Sequence, residues 1–282
     1  MTKYKILIIF LFFGLIIFLN QVFLGRLILP QFFHLGPFAV YYYGIIMALA
    51  VLAGWLLAKK RASQYGIDKN ASDDIIFWIV IGGFVGARIY HVLSSAEYYL
   101  GHLIDIFKVW QGGLSIFGAI FGGLIILLFL SKRYALNATS LLDWLAPSLI
   151  LGQIIGRFAN LFNYEAFGYP TNLPWKMFVP ENFRPENFVN FQYFHPWFLY
   201  EALGNALILF LLLKFVKNKN SGALFFSYLL CYNVLRFLLE FLRIDSTYIG
   251  LFRLNSLMAF LLILLAVLGL KGLLSNTIFT KN

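Results

Sequence analysis

The sequence predicts an all-α fold, a polytopic bundle of about eight membrane-spanning helices with a small extracytoplasmic cap. Three observations predict it. Of the 282 residues, 61% are hydrophobic and only 12% charged, too little polar surface to coat a soluble globule of that size. The apolar residues gather into runs of roughly 17 to 25, the length at which a helix crosses a hydrocarbon core. The basic residues fall unevenly between those runs.

Taken in order, the first run covers 6–24, behind Lys3 and Lys5. It resembles a signal peptide, but no small-x-small cleavage site follows, so it reads as an uncleaved anchor. Further spans are expected at 38–58, 75–93, 113–131, 141–163, 197–213, 222–242 and 254–270. Glycines punctuate two of them: Gly82, Gly83 and Gly86, then Gly118, Gly122 and Gly123. Small residues at four-residue spacing let two helix backbones approach closely where lipid supplies no hydrophobic drive. The longest interruption, 164–196, collects Pro170, Pro174, Pro180, Pro185 and Pro196 and reads as an irregular extramembrane cap. The segment 94–112 ends in "WQGG", with Tyr98, Tyr99 and Trp110 suited to a membrane interface. No repeat, low-complexity tract or linker divides the chain. Cys231 is the only cysteine, so an internal disulfide is excluded and the thiol reads as packing.

The net charge of +10 suggests nucleic acid until its distribution is followed. With the amino terminus inside, Lys3, Lys5, Lys59, Lys60, Arg61, Lys69, Lys132, Arg133, Lys214, Lys217, Lys219, Lys271 and Lys281 face the cytoplasm. Arg26, Lys108, Lys176, Arg184, Arg243 and Arg253 lie outside. That asymmetry follows the positive-inside rule and leaves no nucleic-acid partner to invoke. Both termini are then cytoplasmic. Arg88, Arg157 and Arg236 fall within apolar runs and need separate reasons.

An ionisable group at the bilayer centre costs about 2.5 to 3.5 kcal/mol on insertion scales, so several together imply pairing, water or a ligand. Tyr43, Arg88, His91, Arg157, Asn160, His195, Glu201, Arg236 and Glu240 all fall near the outer ends of their spans. Arg157 and Asn160 share a helix face at i, i+3; Arg236 and Glu240 do so at i, i+4, where an internal ion pair is one reading. Arg157 has no acidic residue at either spacing, but "GRFANLFNYEAFG" (156–168) adds Asn163 and Glu165. Arginine binds phosphate oxygens bidentately and keeps its charge when desolvated. From the residues alone, the expectation is an outer-leaflet site for an anionic, phosphate-bearing amphiphile. His34, His91, His102 and His195 show no ligand-like pairing, so neither a metal nor another cofactor is implied.

At these residues the chain resembles the prolipoprotein diacylglyceryl transferases. The resemblance runs from about Gly36 to Arg253 through "YYYG" (41–44), "GARIYHVL" (86–93), "WQGGLSIFG" (110–118), "GRFANLFNYEAFG" (156–168), "HPWFLYE" (195–201) and "YNVLRFLLEFLR" (232–243). It implies an enzyme of the bacterial cytoplasmic membrane, active toward the outer leaflet. Such an enzyme moves the diacylglyceryl group of phosphatidylglycerol onto the lipobox cysteine of a prolipoprotein signal peptide, forming a thioether and releasing glycerol phosphate. Its partners are those two substrates and membrane lipid. By the same resemblance, Arg157, Arg236 and Glu240 are the catalytic candidates. Arg157, Asn160, Glu165, Gly168, Tyr43 and Arg88 would bind phosphatidylglycerol, with Glu201, Arg243, His195 and His91 in support, His195 mainly as a cap at a helix start.

Two departures from the family pattern stand out. Many members carry a histidine where this chain has Phe117, which leaves His91, Glu240 or an arginine-lowered thiol pKa to account for the thiol proton. It also keeps open an inactive homologue. The run 6–24 precedes the family's usual seven-helix core, which divides the chain into an anchor and linker (1–35) and a transferase membrane domain (36–282). The rival class is a transporter or flippase of an anionic lipid or solute, which would place polar groups near mid-membrane and in both halves.

Overall fold

The computed structural model describes residues 2–216 and 221–279, with side chains described over 13–216 and 221–273. Lys217, Lys219 and Lys281, and the side chains of Lys3 and Lys5, lie outside those residues. Ten α-helices are described: α1 (Thr2–Phe23), α2 (Tyr42–Arg61), α3 (Lys69–Ser94), α4 (Ala96–Gly101), α5 (Ile116–Arg133), α6 (Ala138–Arg157), α7 (Ala159–Asn163), α8 (Trp197–Phe215), α9 (Ala223–Glu240) and α10 (Leu254–Phe279). Among the described residues, seven helical stretches are long and apolar enough to cross a membrane, with α6 and α7 forming one path, and α1 adds a shorter apolar helix over Phe13–Phe23. The protein is a multi-pass membrane helical bundle.

The end that carries 164–196 is called the cap end here. Val22 and Phe23 of α1 pack there with Leu161, Tyr164, Met177 and Phe194, and the Tyr42 ring at the start of α2 stacks on Phe162 of α7 at 5.0 Å. The long helices then alternate in direction, so α2, α5, α8 and α10 start at the cap end while α3, α6 and α9 finish there. At the opposite end, side chains supply the helix starts. Asp68 accepts from the amides of Asn70 and Ala71 before α3, and Asn137 accepts from Thr139 before α6. Asp143 of α6, buried, reaches across to accept from the amides of Gly222 and Phe225 at 2.6 and 2.7 Å. These carboxylates and the amide meet donors that a helix start leaves unbonded.

Helices α3 and α5 interlock through the glycines. A methyl group on Gly86 would overlap the carbonyl oxygen of Gly118, one on Gly118 would overlap that of Gly86, and one on Gly122 would overlap that of Gly82. Close backbone approach, as expected from the spacing, is thus what these residues provide. Gly118→Leu is expected to separate the pair and to lower the apparent melting temperature of detergent-solubilised protein by roughly 5 to 10 °C, the shift that an overpacking cost of about 2 to 3 kcal/mol produces. Fluorescence-detected size exclusion after heating measures it.

The all-α expectation needs one addition. Among the described residues, three two-stranded antiparallel ladders decorate the cap end: β1 (Phe32–Leu35) with β2 (Phe38–Tyr41), β3 (Met177–Phe178) with β4 (Tyr193–Phe194), and β5 (Tyr248–Ile249) with β6 (Phe252–Arg253). The β1–β2 hairpin turns at Gly36, whose φ of +61° suits glycine, and it straddles the division expected at 35/36. Most of 164–196 is irregular, as its prolines predict, and it is anchored by bonds between Gly168 and His195 and between Tyr169 and Leu242.

Candidate active site at the cap end

The site is built where α6, α8 and α9 meet. Each helix contributes one charged group. Arg157 ends α6, Glu201 lies one turn into α8, and Arg236 lies one turn before the end of α9. Glu201 is fully buried and its two carboxylate oxygens accept from different arginines: Nη2 of Arg157 on Oε1 at 2.9 Å, and Nη1 of Arg236 on Oε2 at 2.9 Å. The Tyr232 hydroxyl also donates to Oε1, at 3.3 Å. Two guanidiniums share one carboxylate, so the bridge carries an uncompensated positive charge in a poorly solvated place. An anion arriving there gains far more than it would in water.

One turn nearer the cap end lies Trp197, fully buried, its indole N–H donating to the carbonyl of Leu239 at 2.7 Å. The guanidinium carbons of Arg157, Arg236 and Arg243 stand 5.7, 4.8 and 5.2 Å from its ring centroid. A single indole thus attracts three mutually repelling cations, each contact being worth about 0.5 to 2 kcal/mol depending on desolvation. This platform was missed in the sequence, where Trp197 reads as one more aromatic residue in an apolar run.

A second polar branch extends from Arg157. Its Nη1 donates to Asn160 at 3.4 Å, and Asn160 donates to Glu165 at 2.8 Å. Tyr43 of α2 is within electrostatic reach of Glu165 and Arg157. Glu165 is positioned by two left-handed residues, Tyr164 and Ala166, with φ of +51° and +53°. Gly168 touches the end of α9 so closely that a methyl group would overlap the carbonyl oxygen of Leu242. Beyond it, Arg243 makes a two-pronged pair with Asp245, at 2.5 and 2.9 Å. Burial raises the Asp245 pKa, but the bonded Arg243 outweighs it and holds the carboxyl below its ordinary range. A depressed carboxylate pKa stabilises above the unfolded-state value and is lost as pH falls through the folded one. Acidification below the ordinary carboxylate range is therefore expected to release Arg243, seen as faster proteolysis of the 243–253 hairpin.

Several expected members sit elsewhere. Arg88 is buried and saturated by backbone: Nε donates to Ile106, Nη1 to Gly112 and Gly113, and Nη2 to Asp105, at 2.5 to 3.0 Å. Those four bonds use all but one of its five N–H donors, so it holds the 105–113 segment in place and has one N–H left for a headgroup. His91 lies against Gly113, its ring 2.6 Å from where a methyl on that residue would stand. Arg88 and His91 line a separate cavity of about 180 Å³ with Tyr98, Tyr99, Asp105 and Lys108; the arginine bridge does not line it. A further cavity, about 550 Å³ beside Leu93–Tyr98, is open and is not lined by the bridge residues either. Glu240 is fully buried and its Oε1 accepts from Asn255 of α10 at 3.0 Å, while Arg253 donates to its backbone carbonyl. The i, i+4 pair with Arg236 is therefore not formed, because Glu201 takes that arginine. His195 bonds the Tyr200 hydroxyl at 3.0 Å and its backbone pairs with Tyr169 and Gly168, a cap-anchoring position. Burial lowers its pKa. Phe117 is partly exposed, its ring 6.1 Å from that of Tyr90.

A membrane helical bundle with an arginine bridge at one end fits a membrane enzyme or carrier that handles an anionic group. The comparison with known sequences decides between them. The profile described as Prolipoprotein diacylglyceryl transferase matches residues 30–271, and the chain belongs to that family. It is 41% identical over 267 residues to the phosphatidylglycerol–prolipoprotein diacylglyceryl transferase of Thermotoga maritima, covering 93% of this chain and 91% of that one. It is 38% identical over 264 residues to the enzyme of the same name from Synechocystis, covering 90% and 93%, and 41% identical over 248 residues to that of Acaryochloris marina, covering 86% and 90%. The family is one of transferases, so a carrier is set aside.

Proposed function

We infer that the protein transfers the diacylglyceryl group of phosphatidylglycerol to the lipobox cysteine thiol of a prolipoprotein. The observation that carries this reading is the Arg157–Glu201–Arg236 bridge at one end of a membrane bundle, a built anion site where a lipid headgroup resides. In the reaction the cysteine sulfur attacks the glycerol carbon that bears the phosphodiester. The S–C bond forms as the C–O bond breaks, and glycerol phosphate leaves with the electron pair. A phosphodiester with one negative charge becomes a phosphomonoester with two as the thiol loses its proton. Arg157 and Arg236 stabilise that growing charge, while Asn160, Glu165 and Tyr43 orient the glycerol hydroxyls.

His91 is seated in the separate cavity and Phe117 cannot accept a proton, while Glu240 bonds Asn255 through Oε1 and its Oε2 has no partner among the described residues. The thiol, with an unperturbed pKa of about 8.5, needs only modest help, which neighbouring guanidiniums supply. The positive-inside asymmetry supports a cap end facing outward, with both termini cytoplasmic and the membrane being the bacterial cytoplasmic membrane. The segment preceding residue 30 then serves as an added anchor that leaves the site's orientation unchanged.

The test is direct. Purified protein in phosphatidylglycerol vesicles is incubated with a lipobox peptide, and the peptide mass is followed. A thioether-linked diacylglyceryl adduct is expected; its absence, where a Thermotoga relative succeeds in parallel, would reject the reading.

A further inference from the structure

The bridge stands on a second polar layer that the reaction as described does not use. Arg157, Glu201 and Arg236 each have a polar residue four positions further into the bundle on the same helix: Gln153 on α6, Asn205 on α8 and Tyr232 on α9. Helices α6 and α9 end at the cap end and α8 begins there, so all three lie at one depth, about 6 Å beneath the bridge at 1.5 Å per residue. Tyr228, one more turn inward on α9, stacks on Tyr232 with ring centroids 5.8 Å apart and accepts from Gln153 Nε2 at 2.9 Å.

The layer is not satisfied internally. Asn205 is fully buried, yet among the described residues neither its Oδ1 nor its Nδ2 has a hydrogen-bond partner, and the same holds for Oε1 of Gln153. Its helix face is fixed by its neighbours. Glu201 one turn before it and Ile208 and Leu212 after it are all buried, and the latter two pack against Ile150 and Tyr228. Asn205 therefore points into the α6–α8–α9 seam and away from lipid. An amide with both ends unbonded in hydrocarbon costs several kcal/mol, so its partners must be supplied from beyond the described residues.

We propose that this seam is a water-binding site, in which waters bonded to Asn205, Gln153 and the two tyrosines form a reserve for Glu201. The reasoning follows from the bridge. Glu201 occupies the acceptor position on both arginines, which is where a headgroup phosphate must bind. When phosphate takes those donors, a fully buried carboxylate is left without its cations, a costly state unless other donors replace them. Tyr232 already donates to it at 3.3 Å, and water held by the Asn205 amide supplies the rest from directly below. Two to four polar partners are the ordinary requirement for an ordered buried water, and Asn205, Gln153 and the two tyrosines supply them. The water site stands independently of the reaction; its role as a reserve rests on the transferase reading.

Radiolytic hydroxyl labelling of the substrate-free protein in nanodiscs tests the site, because residues beside ordered water are labelled even when buried. Trp144, fully buried in an apolar cluster with its N–H on the Ala58 carbonyl, is the dry reference. Tyr228 and Tyr232 are expected to label at least about tenfold faster than Trp144, and Asn205→Leu to slow Tyr232 toward the reference, while Asn205→Ser keeps it wet. Wild-type tyrosines labelling no faster than Trp144, or Asn205→Leu labelling like wild type, would overturn the proposal. Gln153→Leu is the second variant should Asn205→Leu fail to fold. In turnover, Asn205→Leu is expected to raise KM for phosphatidylglycerol about tenfold with kcat within about twofold. Labelling as expected, with Asn205→Leu slowing Tyr232 but leaving KM unchanged, would overturn the reserve role alone. Absence of turnover in every variant and the wild type would count against the transferase reading and leave the labelling result standing.

Discussion

Arg157→Ala is expected to reduce thioether formation by about 10²- to 10³-fold or more, the loss that accompanies removal of one preorganised donor from a developing anion. The mass-spectrometric peptide assay measures it. The fold should survive, because Glu201 keeps Arg236 and Tyr232 as partners. Arg157→Lys is expected to restore little, since an ammonium cannot reach both Glu201 and Asn160 as the planar fork does. Activity within twofold of wild type in Arg157→Ala would remove the bridge from the mechanism.

Glu201→Ala is expected to have the largest effect on stability. It leaves two partly buried guanidiniums facing each other over one indole with their shared counter-charge gone. Removing one member of a buried ion network costs about 3 to 5 kcal/mol. Thermal unfolding of the solubilised protein measures the loss. Glu201→Gln keeps the shape and one acceptor and should fall between, whereas a variant as stable as wild type would show that the arginines do not depend on the carboxylate. The comparison also separates position from charge. If Glu201 serves only to hold the arginines, Glu201→Gln should retain some turnover at normal temperature.

Much of this was legible in the sequence because the membrane imposes simple rules. Apolar run length placed every long helix, although α3 begins at Lys69 and not 75 and α10 runs on to Phe279 and not 270; glycine spacing marked the α3–α5 contact, and Arg157 with Asn160 at i, i+3 proved a bonded pair. Most of what could not be read at the bridge depends on partners that lie far apart along the chain. Glu201 meets Arg157 and Arg236 across separations of 44 and 35 residues, and no helical periodicity links them. The i, i+4 rule instead suggested Arg236 with Glu240, a local pair that lost to a tertiary one. Arg88 looked like a spare cation because its acceptors are backbone carbonyls, which carry no residue signature. The ladders were too short for alternation to register. Asn205 did leave a signal, an amide one turn from Glu201 in an otherwise apolar helix. It shows that polar groups extend deeper than the bridge, and Asp143 shows that the opposite end has its own.

The glycine contact between α3 and α5 has a bearing on how a two-tailed lipid reaches the arginines. Where carbonyl oxygens of one helix rest on the α-carbons of the other, the seam has no width for a hydrocarbon chain, and prising it open would break the contact along several turns. That pair acts as a single fixed wall, and traffic of tails between bilayer and interior must go through some other seam of the bundle.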